Sequence, residues 1–71
     1  MNQDEIHEIL IKVKTGMGVC KLNFNDGFSV TVKVIDVDDL SNLDPCVWIE
    51  YDAKISSPSI SLISSVVLLE K

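Results

Sequence analysis

Between Gln3 and Val13 the apolar positions Ile6, Ile9, Leu10 and Val13 fall at i, i+3, i+4 and i+7. That spacing lines one face of a short helix, predicted over about residues 3–14. Asn2 or Asp4 can cap it, and Asp4, Glu5 and Glu8 suit the positive end of its dipole. Lys12 and Lys14 fall at the negative end, and Gly16 and Gly18 stop it. A strand competes for the same stretch, because Ile9, Ile11 and Val13 also alternate.

From residue 18 to residue 71 the period changes to two, and strands are predicted. Cys20, Leu22 and Phe24 point one way, Lys21 and Asn23 the other. Asn25-Asp26-Gly27 is the strongest turn signal, since Asp-Gly favours a tight hairpin. The return strand has Phe28, Val30, Val32 and Val34 inward, then shifts phase to Ile35 and Val37. Such a shift inside one long strand predicts a bulge, the device by which a sheet curls toward a barrel. Asp38 to Pro45 is a polar loop, and Cys46 to Tyr51 a third strand with Val47, Ile49 and Tyr51 on one face. Ser56-Ser57-Pro58-Ser59 is a turn, after which Ile60 to Leu69 supplies one or two short strands. The expectation is a mostly β chain: a short helix, then a five-stranded bent antiparallel sheet forming a small SH3-like barrel.

Seventy-one residues make a single domain, and one so small buries a modest share of its surface. Disulfides, metals or self-association usually compensate. The N-terminal Met1-Asn2-Gln3-Asp4-Glu5 has no signal-peptide character, so a cytoplasmic chain is expected, with Cys20 and Cys46 as buried thiols. His7 is the lone histidine and no C-x-x-C pair exists, so neither zinc nor another metal is expected. No apolar run approaches the roughly 18 residues of a membrane span, and no membrane role is expected. A chain 46% hydrophobic at this length must expose apolar patches, which points to a homo-oligomer. Eleven acidic residues face six lysines and no arginine, for a net charge of −5. That balance opposes simple phosphate binding unless an assembly gathers Lys12, Lys14, Lys21 or Lys33 on one face.

The order and spacing of these pieces resemble the Sm-like family (LSm and its bacterial branch, Hfq). Cys20, Leu22 and Phe24 lead to Asp26-Gly27; Val34 lies seven positions after that glycine, Asp38 eleven, and Asn42-Leu43 fifteen and sixteen. Ile63-Ser64-Ser65-Val66-Val67 is similar to the bacterial form of the second family motif. The resemblance runs from the helix to Val67 and implies an Sm-like barrel. It further implies a non-catalytic ring of about five to seven subunits that closes through the last strand and binds single-stranded RNA near a central pore. Departures fall on the bend of the second strand and on the RNA-holding groups. Val32 stands where the family carries a second glycine, and Leu40 where a flat group stacks on a base. Ser64-Ser65 replaces Arg-Gly, and Ile60-Ser61 replaces Lys-His.

Candidate RNA contacts are therefore Asp38, Leu40 and Asn42 in the loop, with Ser64, Lys12 and Lys14. Asp38 and Asn42 can equally shape their own loop by bonding its backbone. Asp36, Asp38, Asp39 and Asp44 could hold a divalent cation but read better as a solvated acidic edge, lacking a calcium loop's glycine and terminal glutamate. His7 has no nucleophile or carboxylate tied to it by spacing, so it belongs at the helix rim. Cys20 is inward and belongs to the core. Trp48, opposite in phase to Val47, Ile49 and Tyr51, is expected to be a subunit contact, with a binding anchor as the alternative. Val66, Val67, Leu68 and Leu69 are apolar on both faces, and a strand of that kind is normally paired or covered, here by a second subunit. The alternative function is an acidic adaptor or inhibitor that binds a basic protein partner. Brevity, low arginine and many Asp and Ser would suit a phage-encoded protein of that kind. With no acid–base pair, nucleophile or phosphate loop, neither enzyme nor cofactor is expected.

Overall fold

The computed structural model describes residues 1–16 and 18–69. It contains α1 (Gln3–Thr15), β1 (Val19–Phe24), β2 (Ser29–Val37), β3 (Val47–Tyr51), β4 (Lys54–Ser56), a 3-10 helix (Ile60–Leu62) and β5 (Ile63–Leu68). The mostly β, helix-first architecture is the one expected. All strands lie in one antiparallel sheet of order β4-β3-β2-β1-β5, so β4 and β5 form its two edges. Among the described residues no helix is long and apolar enough to cross a membrane.

The helical spacing prevails over the competing alternation. Ile6, Leu10 and Val13 are buried and Ile9 packs beside them. Asn2 is the cap: its Oδ1 accepts from Glu5 N at 2.8 Å, and Asn2 N donates back to Glu5 Oε1 at 3.4 Å. This reciprocal box satisfies two groups that the first helical turn would otherwise leave unpaired. Gly16 ends the helix, its N–H donating to Lys12 O.

The helix lies over the inner face of the sheet. Cys20 and Leu22 of β1, Val32 and Val34 of β2, Val47 and Ile49 of β3, Ile60 of the 3-10 helix, and Ile63 and Val66 of β5 complete the core. Burial pushes the Cys20 thiol up to about 11, leaving it protonated and inert.

The phase shift in β2 is a bulge. Val34 pairs with Ile49 but Asp36 pairs with Trp48, leaving Ile35 without an opposite residue. The extra residue returns Val37 to the inner side opposite Val47 and bends the strand.

Three expectations change in detail. The β1–β2 connection takes in Phe28 as well as the expected Asn25-Asp26-Gly27. Gly27 N donates to Phe24 O, Gly27 adopts φ +93°, and Phe24 N returns to Phe28 O. This turn with a left-handed glycine leaves Phe28 outside the strand and exposed. The segment Ile60–Leu69 holds only one strand, since Ile60–Leu62 forms a 3-10 turn capped by Ser59. The fifth strand is instead Lys54–Ser56, where no alternation marks it.

Candidate functional site

The β2–β3 loop is held by its own aspartates. Asp38 N donates to Cys46 O, Asp38 Oδ2 accepts from Cys46 N at 3.0 Å, and Asp38 Oδ1 accepts from Trp48 Nε1 at 3.4 Å. The Asp38 carbonyl accepts from His7 Nε2 at 2.9 Å, which sets the proton on that nitrogen and straps the helix to the loop. Asp39 Oδ1 accepts from Ser41 N, and its carbonyl from Asn42 N. The bond from Ser41 N is the main reason the Asp39 carboxyl lies below its ordinary value. These contacts belong to the loop-shaping alternative, because both Asp38 oxygens are engaged within the fold.

The loop meets the 3-10 segment. Asp44 Oδ1 accepts from Ser59 Oγ, Ile60 N donates to Pro45 O, and Cys46 bridges Ser59. Asn42 is exposed and Leu40 half-buried on this loop. Ser64 lies beyond the 3-10 helix, its Oγ donating to Asn23 O. The two lysines proposed beside the loop are engaged elsewhere. Lys12 lies 3.8 Å from Glu8, and Lys14 Nζ donates to Asp36 Oδ1 at 2.8 Å. The Lys14 bond is the largest cause holding the Asp36 carboxyl below its usual range. Among the described residues no group of three His, Cys, Asp or Glu side chains is placed to hold a metal ion.

A cavity of about 440 Å³, open to solvent, lies between the helix start and the sheet, lined by Met1, Gln3, Asn25, Ile60, Ser61, Ile63 and Ser64. Of these only Ser64 stands among the sequence candidates. Asn25 reads in the sequence as a turn residue, and its Nδ2 donates to Ser61 O, joining the hairpin to the 3-10 segment. The lining is amide, hydroxyl and apolar, without a charged side chain.

At the sheet edges the Val66 side chain is 5% exposed and belongs to the protomer's own core, so only its backbone lies on the β5 edge. Val67 and Leu68 are 44% and 51% exposed, and Leu69, past the strand end, is half-buried. Ile55 on the opposite edge is 66% exposed. Trp48 lies on the outer face, as its phase indicates. Comparison with protein-family models, curated proteins and solved structures returns no match for this chain.

Proposed function

We propose that the chain is a non-catalytic, Sm-like protomer that closes into a homo-oligomeric ring, β4 of one copy pairing with β5 of the next, and that the ring binds single-stranded RNA. One observation carries the reading. The strand order leaves two free edges of one antiparallel sheet, and both bear exposed apolar side chains, Ile55 on one and Val67 and Leu68 on the other. Free edges of this kind pair or aggregate, and joining unlike edges around a closed rotation satisfies every one.

The RNA part draws support from the cavity, whose described lining side chains carry no charge. The Gln3 amide, the Asn25 amide oxygen and the Ser61 and Ser64 hydroxyl oxygens suit a base edge rather than a phosphate. Asn25 Nδ2 and the Ser64 hydroxyl already donate to Ser61 O and Asn23 O. With Lys12 and Lys14 in ion pairs, few phosphates would be neutralised, and the salt dependence of binding should be shallow.

Light scattering at tens of micromolar tests assembly, with a multiple of 7.9 kDa expected. A monomer at that concentration overturns the ring. Titration with U-rich and A-rich oligoribonucleotides at low salt tests the ligand. An intact ring that binds neither would remove RNA and leave the acidic, protein-binding alternative.

A further inference from the structure

Ring closure makes no use of the outer face of β2 and β3. Trp48 is the sole tryptophan of the chain and is 41% exposed. It lies on an interior strand, so its exposure is separate from the unpaired edges. The bond from its Nε1 to Asp38 pins the indole by one edge and leaves the ring faces to define the surface. In register it faces Asp36 on β2, and Glu50 lies two residues along the same side of β3. Exposed Ile35 occupies the adjoining bulge.

Asp38 thus contacts the exposed indole directly, and the register sets Asp36 opposite it and Glu50 two residues along. Among the described residues the cations on hand are Lys14, bound to Asp36, and Lys33, opposite Glu50 in the ladder. Lys14 holds Asp36 ionised well below neutral pH. An aromatic face attracts a cation within about 6 Å, and neighbouring carboxylates add to that pull. The same carboxylates repel phosphate. A second copy of a chain with net charge −5 is also a poor electrostatic match.

We propose that this surface docks a basic protein segment, seating an arginine or lysine over the Trp48 indole between Asp36 and Glu50. The surface borders the β4 edge, where Glu50 stands opposite Ile55 in the ladder, but Asp36 and Trp48 lie on interior strands and do not depend on ring formation. It gives the protein-binding alternative a specific place and a partner chemistry.

Trp48 fluorescence of the full chain, titrated with a hexa-arginine peptide at low salt, tests the proposal against a Gly-Ser peptide of equal length. Saturable quenching by hexa-arginine alone is expected, with a Kd on the order of tens of micromolar that weakens as salt rises. The double variant Asp36→Asn/Glu50→Gln should lose about tenfold in affinity, whereas Glu8→Gln/Asp52→Asn, which removes the same charge elsewhere, should lose less than about twofold. Equal losses in the two variants would reduce the effect to diffuse attraction and overturn the site. So would an absence of quenching up to about 1 mM peptide. A tryptophan shielded from acrylamide until the protein is diluted would make a second copy the occupant instead, which also overturns the proposal. The ring reading survives any of these failures, because it is measured by mass and RNA titration.

Discussion

The sheet contains two hairpins that reverse direction by different means. Between β1 and β2, Gly27 takes the left-handed conformation at φ +93°, which glycine adopts without a Cβ penalty, and Asp26 Oδ1 accepts from Phe28 N. Between β3 and β4 the two turn residues are Asp52 and Ala53, both left-handed at φ 53° and 60° and neither a glycine. The first turn joins long strands whose inner residues Leu22 and Val32 are buried. The second joins β3 to a three-residue strand that is exposed throughout. One hairpin is held by its turn and by its core face. The other keeps a strained turn whose second strand buries no side chain, and that strand carries the free edge that the proposed assembly needs.

The comparison can be broken most forcefully in the core of the first hairpin. Leu22→Ala should destabilise the protein by about 2–5 kcal/mol in chemical denaturation, because the fully buried side chain leaves a cavity. A loss below about 1 kcal/mol would mean that β1 is less tightly packed than its burial indicates. Next in size, Gly27→Ala forces a Cβ into the left-handed region and should cost about 1–2 kcal/mol.

The mirror substitution in the second hairpin has the opposite sign. Ala53→Gly relieves a left-handed alanine at the expense of greater unfolded-state freedom, so a net gain of about 0.5–1 kcal/mol is expected. A loss would show that the β3–β4 turn is not strained. Smallest in stability is Ile55→Thr, expected within about 0.5 kcal/mol for the protomer because the side chain is solvent-exposed. Its effect should appear in the oligomer mass, and an unchanged mass would place assembly somewhere other than β4.

The β2–β3 loop responds to pH. Asp36 and Asp39 are both held below the ordinary 3.8 by bonds to their charged forms. Their stabilisation is therefore present above about pH 4 and is lost as the pH falls through their lowered values. Urea-denaturation midpoints of wild type and Asp36→Asn, measured across pH, should differ near neutrality and converge at low pH. A constant gap would assign the effect to something other than ionisation.

The legibility of these regions follows the same contrast. The helix face Ile6, Ile9, Leu10 and Val13 and the inward rows of β1 and β2 stand out because burial imposes a period. The bulge at Ile35 shows because it breaks that period. Lys54-Ile55-Ser56 buries nothing, and an unburied strand leaves no pattern to read. Ile60 and Leu62 look alike in an apolar run, but the 3-10 turn buries the first and exposes the second. At the candidate site, Asp38 and Asn42 can be singled out from spacing. Which oxygens Asp38 spends on Cys46 and Trp48 depends on chain reversal. The cavity was hidden for a similar reason: Gln3 and Asn25 meet only because the helix start lies over the 3-10 segment.

The two thiols also give this molecule a pair of clocks. Cys20 lies at the centre of the core, whereas Cys46 sits at the loop end, its Sγ donating to the Asp44 carbonyl. A thiol-reactive probe should reach Cys46 through loop openings and Cys20 only when β1 separates from its neighbours. The ratio of the two labelling rates then reads how far whole-sheet opening lies above local fraying. Followed against protein concentration, it would register how much assembly slows that opening, with no change made to the sequence.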